Sequence, residues 1–236
     1  MIGCIAVYNR FMTKGEKEAL LLLDRYMNLR IGDKHLRTAY WRDRRKLQGF
    51  LGGKGRPDEL ENAIVMEVNK RELDLTTMTE HELRAFMKQA KIGMDCSGLV
   101  YQLLSAFDRS FRERVVPTPG GKPDNDKRFR TNADSLTNEQ NTTPVDKLSD
   151  IRFGDLIRMD GGRHVLMVVQ VSDDMIRYTH SSDMTKTTGV HIGRIMIEDR
   201  EVGLEKQHWM EKTVRGGTLR EKYDLSKGDG VFRLKK

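Results

Sequence analysis

Short apolar segments in the second half of the chain limit its fold class more than any other feature. Strands are predicted where branched or aromatic residues cluster between Gly, Asp or Ser turns, over 155–159, 165–171, 175–178, 190–197 and 231–234. An apolar segment from Cys96 to Phe107, before these strands, has the length and composition of a helix. A helix followed by an antiparallel run of strands indicates an α+β domain.

The first ninety residues have mainly helical spacing. Helices are predicted over 16–30, 35–48 and 57–73, and a further helix ends at Ala90 after a capping-box pattern formed by Thr79 and Glu82. The second of these helices is strongly basic. We therefore expect a mainly helical, basic N-terminal region over 1–90 and a second domain over 91–236, with a polar insertion over 108–150.

Charge favours a polyanionic partner, because the 236 residues carry a formal net charge of +7. Nucleic acid, an anionic membrane and an acidic cell wall all fit this description. The segment Tyr40-Trp41-Arg42, with Arg44, Arg45 and Lys46, could contact phosphates and stack on bases, although a solvated basic helix face fits it better. We expect polyanion contact through the basic N-terminal helices.

No apolar run approaches the roughly 20 residues that span a bilayer, so no membrane span is expected. The apolar start over 1–8 is too short for a signal-peptide core. We therefore expect a cytoplasmic protein, or one that is exported by another route. Cys4 and Cys96 are the two cysteines of the chain, so at most one disulfide can form. A cysteine-rich metal site is excluded for the same reason.

Cys96 is the strongest candidate for chemistry. It follows Gly93-Met94-Asp95 and precedes Ser97-Gly98-Leu99-Val100, which places the thiol at the start of an apolar helix. Unpaired backbone N–H groups and the positive end of the helix dipole favour a thiolate there, and the N–H of Cys96 is a candidate oxyanion donor. The alternative is a small buried residue at a helix start.

His164 is the candidate base, because it follows Gly161-Gly162 at the entrance of an apolar strand. A third polar group should orient its ring, and His180 is the first candidate. If the chain turns at Ser172, then positions 164 and 180 lie opposite each other on one face. Ser181, Ser182 and Asp183 are the alternatives to His180. A satisfied surface histidine would also explain His164, and a polar strand end would explain His180.

A metal site is not expected. His164, His180, His191 and Asp183 could be arranged around an ion, but their spacing contains no short-range ligand motif. The segment from Gly49 to Lys54 also differs from a phosphate-binding loop, since its spacing is one residue short and Gly55 replaces the Ser or Thr that would meet magnesium.

The motifs together resemble the NlpC-type cell-wall cysteine peptidases, which have a papain-like α+β fold. The resemblance rests on Asp95-Cys96-Ser97-Gly98-Leu99-Val100, then Gly154-Asp155-Leu156, His164-Val165 and Tyr178-Thr179-His180-Ser181, in the order of the family. It covers roughly Ile92 to Ile197. The resemblance implies that Asp95 and Ser97 help bind the free amine of a substrate. The Tyr that this family usually carries shortly before the cysteine is missing from 84–92.

What the resemblance implies is cofactor-independent hydrolysis of amide bonds in peptidoglycan stem peptides, often between D-glutamate and a diamino acid. In this hypothesis Cys96 attacks, His164 transfers the proton and His180 orients His164. Two alternatives stay open. The same fold could act on another amide or an ester, including acyl transfer, or the domain could be a non-catalytic module that binds cell wall or nucleic acid.

Overall fold

A computed structural model describes residues 12–42, 50–118 and 127–235. Its helices are α1 (Lys14–Met27), α2 (Pro57–Lys70), α3 (Glu80–Gln89), α4 (Cys96–Phe107), α5 (Phe111–Arg114) and α6 (Ala133–Leu136). Its strands are β1 (Leu29–Ile31), β2 (Lys34–Leu36), β3 (Thr142–Pro144), β4 (Leu156–Met159), β5 (His164–Val171), β6 (Met175–Ser182), β7 (Gly189–Met196), β8 (His208–Trp209) and β9 (Gly230–Leu234). Cys4 and the basic residues 44–46 lie outside the described segments.

Helix starts are fixed by local chemistry. Thr13 and Glu16 form a capping box at α1, and Thr79 and Glu82 form the predicted one at α3. In each box the threonine hydroxyl and the glutamate carboxylate accept from backbone N–H groups that a helix start leaves unpaired. The helices predicted at α1, α2, α3 and α4 are confirmed, although α1 ends at Met27 and the residues after it form β1.

The helix predicted over 35–48 is wrong in its described part. Residues Lys34–Leu36 form β2, which pairs antiparallel with β1. Beyond it the chain is held by other segments, since the carbonyl of Thr38 accepts from Val190 N at 3.0 Å and that of Ala39 accepts from Met94 N at 3.0 Å. A helix would need these carbonyls for its own bonds. Residues 43–49 of the predicted helix lie outside the described segments.

The larger sheet is antiparallel throughout, with the described strands in the order β3-β9-β4-β5-β6-β7-β8. Strands β4 to β7 and β9 correspond to the predicted ones. The insertion predicted over 108–150 contributes α5, α6 and β3, and β3 pairs with β9. Helices packed on an antiparallel sheet confirm the α+β class.

The two faces of the sheet have separate cores. On one face, Val165, Met167 and Val169 of β5 belong to the apolar cluster that contains α4 and also Leu23 and Tyr26 of α1. The N-terminal region therefore shares a core with the helix that carries Cys96. On the other face, Leu166 and Val168 belong to a cluster built around Tyr178 and Trp209. None of the helices in the described segments is long and apolar enough to cross a bilayer.

Candidate active site

The helix that carries Cys96 begins at that residue. Asp95 is its N-cap, and the Oδ1 atom of Asp95 accepts a hydrogen bond from the amide of Gly98. A Cβ atom on Gly98 would lie 2.3 Å from the carbonyl oxygen of Gly53, so glycine at 98 lets the 50–54 segment approach the helix start. Cys96 is buried there, with 6% of its surface exposed.

Asp95 and Ser97 bind a lysine of the chain itself. Nζ of Lys54 donates to Asp95 Oδ1 at 3.0 Å and also to the hydroxyl of Ser97. The side chains of Lys54 and Asp95 are only 7% and 10% exposed. The resemblance implies that Asp95 and Ser97 help bind a substrate amine; in the structure the cation that a buried carboxylate needs is the ammonium of Lys54.

Burial dominates the electrostatics of the thiol. Desolvation raises the pKa of Cys96 to about 11, and the charge of Asp95 adds to the rise. The amide of Val165 and the positive charges of Lys54 and Arg42 lower this pKa but do not compensate. Cys96 is therefore a neutral thiol near pH 7. The thiolate expected from a helix start is not the resting form, because desolvation outweighs the helix start.

Cys96 lies against the first residues of β5. The amide of Val165 donates to its sulfur, and His164 is the residue before Val165. Among the described residues, no hydrogen bond joins the thiol to the His164 ring. Nε2 of His164 faces His180, so Nδ1 is the ring nitrogen that this contact leaves open. The structure thus brings Cys96 and His164 to adjacent positions without a direct bond between them.

His164 and His180 are in contact, as the sequence predicted. His164 Nε2 and His180 Nδ1 are 2.8 Å apart, and both side chains are buried. The predicted register is wrong in detail. It would place 167 opposite 177, whereas Met167 pairs with Thr179 and the register shifts between Val168 and Gln170. A shift of two residues keeps the same side chains on the same face, so the rings still meet.

The resting His164 is a neutral imidazole. Burial lowers the pKa of His164 well below its ordinary value, and the neighbouring His180 lowers it further. The pKa of His180 is also lowered by burial, against the opposing effect of Glu211. A neutral imidazole beside a neutral thiol is a resting pair in which the base is free to accept a proton.

Glu211, His191 and Tyr178 complete the site and were not assigned to it from the sequence. His180 Nε2 lies 3.1 Å from each carboxylate oxygen of Glu211, and His191 Nε2 contacts the same carboxylate. The hydroxyl of Tyr178 donates to Glu211 Oε2 at 2.7 Å. Gly193 makes room for the Tyr178 ring, which lies 2.3 Å from the position of a Cβ at 193. Two sequence signals bear on this cluster: strand alternation places 178 and 180 on one face, and His191 was already grouped with His180 in the possible metal arrangement, whereas nothing in the sequence singles out Glu211.

The alternatives to His180 have other partners or positions. Ser181 donates to the carbonyl of Met94 at 2.7 Å, and the hydroxyl of Ser182 accepts from the amide of Met184 at 3.0 Å. Asp183 is exposed. Of the four candidates, His180 is the one whose side chain contacts His164.

Tyr40 lies close enough to Cys96 for their charges to interact. Burial raises the pKa of Tyr40, and the charges of Cys96, Asp183 and Asp95 raise it further. Residue 40 is brought there by a parallel bridge to Met94, two positions before Cys96. Tyr40 therefore lies near the start of α4 and not on a solvated helix face.

His180, His191 and Glu211 form a cluster with the residue types of a metal site. Their ligand atoms all lie within 4.8 Å of one another, and imidazole with carboxylate suits zinc and related divalent ions. The arrangement considered from the sequence also contained His164 and Asp183. In the structure, Asp183 is exposed, and Glu211 takes the place of the carboxylate.

The chain was compared with protein-family models, with curated proteins and with solved structures. It matches none of them.

Proposed function

We propose that this chain is a cysteine-dependent amide hydrolase with a papain-like, NlpC-type domain, acting on peptidoglycan stem peptides. One observation carries the proposal: the sulfur of a cysteine at the start of a buried helix accepts from the amide of Val165, and Nε2 of His164, the residue before Val165, is 2.8 Å from His180. Nucleophile, base and orienting group then occur in the order that acyl transfer by a thiol needs.

The pKa shifts indicate how the proton moves. Because both resting groups are neutral, Cys96 does not wait as a thiolate. Nδ1 of His164 accepts the thiol proton as the sulfur attacks the scissile carbonyl. The N–H of Cys96 at the helix start donates to the developing oxyanion. His164 then returns the proton to the leaving amine, and water hydrolyses the thioester in the second half of the reaction.

Lys54 limits the substrates that fit this proposal. The carboxylate and the hydroxyl that flank the nucleophile both accept from its ammonium. A free amine on the substrate would have to displace a buried lysine from Asp95, which costs several kcal/mol. We therefore propose stem peptides, cut at the bond between D-glutamate and a diamino acid, whose N-terminal amine is already acylated. A stem that is still joined to the glycan has this property.

A matched pair of stem peptides tests the proposal. One carries a free N-terminal amine and the other is N-acetylated, and intact sacculi serve as a third substrate. Mass spectrometry identifies the products with wild-type protein and with Cys96→Ala. Cleavage of the acetylated peptide and of sacculi by wild-type protein alone is expected. Faster cleavage of the free-amine peptide would contradict the role given to Lys54, and no cleavage of any substrate would contradict the peptidase.

One observation favours a second candidate. Cys96 is 6% exposed and has a raised pKa, which would also suit a domain that keeps the fold and binds cell wall or nucleic acid without chemistry. Retention on sacculi or on DNA with a steep dependence on salt, without turnover in either variant, would support this candidate. Thioester formation with a simple activated ester, without cleavage of stem peptides, would instead indicate the same fold acting on another amide or ester.

A further inference from the structure

We propose that Glu211 and His191 are positioning residues that determine, through His180, which nitrogen of His164 carries a proton. The inference rests on the proposed function, because it assigns both residues to the proton transfer at Cys96. Glu211 lies beyond β8, while His164 begins β5, so the two are joined through the rings and not through neighbouring backbone.

His191 and Glu211 are in direct contact. Nδ1 of His191 lies 2.8 Å from the carbonyl of Gly189, which anchors the ring, and Nε2 of His191 contacts Glu211 Oε1. Burial raises the pKa of Glu211, but His180 and His191 outweigh it and hold the pKa of this carboxyl well below its usual range. Glu211 is therefore a carboxylate that accepts hydrogen bonds.

The tautomer of His180 follows from its contact with Glu211. Nε2 of His180 is 3.1 Å from both oxygens of the carboxylate, which accept and do not donate, so this nitrogen donates its proton. The Nε2 atoms of His180 and His191 are 3.0 Å apart, and both rings contact the same carboxylate. Tyr178 donates to Oε2 of Glu211 and holds the carboxylate in place. A neutral His180 then has its lone pair on Nδ1.

The tautomer of His164 depends on which nitrogen of His180 accepts a hydrogen bond. Since Nδ1 of His180 accepts, Nε2 of His164 donates across the 2.8 Å contact. The lone pair of a neutral His164 is then on Nδ1, the nitrogen left for Cys96. An acceptor at one end of the chain of rings thus determines the tautomer at the other end, and that tautomer is the one that can take the thiol proton.

A bound divalent ion would produce the opposite result. The ion would use the lone pair of His180 Nε2 and leave the ring proton on Nδ1. That proton would face Nε2 of His164, so a neutral His164 would carry its own proton on Nδ1 and could not act as the base. The hydrogen-bonded arrangement is therefore the one compatible with the proposed proton transfer.

Long-range ¹H–¹⁵N spectra of the full chain, labelled with ¹⁵N-histidine, report the protonation of each ring nitrogen directly. In wild-type protein we expect N–H signals from Nε2 of His164 and His180 and lone-pair signals from their Nδ1 atoms. Glu211→Leu removes the acceptor and should leave His164 as a mixture of tautomers. Glu211→Gln keeps an acceptor oxygen and should restore most of the Nε2–H form of His164.

Reactivity of Cys96 provides a second readout. With iodoacetamide at pH 7, Glu211→Leu should slow alkylation by roughly 10- to 100-fold. This is less than the ~10⁴-fold cost of a wrong tautomer in a Ser-His-Asp triad, because Glu211 acts one ring further away. Glu198→Leu is the matched control, since Glu198 is exposed and lies 3.8 Å from the exposed His208. It should change neither the spectra nor the rate.

A wild-type spectrum with the proton of His164 on Nδ1 would overturn the inference, even if Glu211→Leu did not fold. So would spectra of both Glu211 variants identical to wild type. A stoichiometric divalent metal in purified wild-type protein, lost in Glu211→Gln, would show that the cluster is a metal site. None of these measurements depends on a substrate, so failure of the peptidase proposal would be seen separately in the cleavage assay.

Discussion

Replacing Lys54 with methionine should destabilise the fold strongly. Its ammonium makes a hydrogen bond of 3.0 Å to Asp95 Oδ1 and a second one to Ser97, and the side chains of the ion pair are 7% and 10% exposed. Methionine fills similar space but leaves the Asp95 carboxylate buried without a cation. Removing one partner of a buried pair costs roughly 3–5 kcal/mol. For a chain of this size that corresponds to a melting temperature lower by about 10 °C.

Urea unfolding followed by circular dichroism measures the free energy of unfolding, and a thermal melt measures the melting temperature. Lys227→Met is the control, because Lys227 pairs with Asp224 at 2.9 Å at the exposed surface, and it should have no measurable effect. Lys54→Met combined with Asp95→Asn should be more stable than Lys54→Met alone, since asparagine still caps α4 and no charge is left unpaired. Stability of Lys54→Met within ~1 kcal/mol of wild type would refute the buried pair.

Three further predictions concern the reacting groups. Because burial raises the pKa of Cys96 to about 11, the rate of its alkylation by iodoacetamide in His164→Ala, where no imidazole takes the thiol proton, should rise about tenfold per pH unit from neutrality up to that value, and a plateau near pH 8 would show an ordinary thiol. Cys96→Ala and His164→Ala should each abolish cleavage of acetylated stem peptide while keeping the wild-type circular dichroism spectrum, and the double variant should lose no more than either single variant. His180→Gln should keep part of the turnover, because an amide oxygen can accept from His164 Nε2, whereas His180→Ala should lose more; equal activity of the two would remove His180 from the site.

Local patterns were enough for the elements that present the reacting groups. The capping box of Thr79 and Glu82 accepts from the backbone N–H groups at the start of α3. The apolar run that follows Cys96 is enough to predict α4, which begins at that residue. The two-residue period of β5 and β6 placed His164 and His180 on one face even though the predicted register was wrong. Such features depend on neighbouring residues, which is why they can be recognised without a structure.

Prediction failed where distant segments meet. The 35–42 segment was assigned to a helix, yet its carbonyls accept from Val190 and Met94, and these bonds bring Tyr40 close to Cys96. The tertiary contacts of this segment override its local preference. No spacing rule connects residue 40 to residue 96.

The sequence by itself determined the α+β class, the position of Cys96 at a helix start and the pairing of His164 with His180. Only the tertiary structure decided the environment of these groups. Lys54 approaches Asp95 from 41 positions away, and Glu211 approaches His180 from 31 positions away. The charge of a buried carboxylate, the tautomer of an imidazole and the pKa of a thiol depend on every group within a few ångströms. That set of neighbours is fixed by how the chain folds back on itself, so it cannot be derived from the order of the residues along the chain.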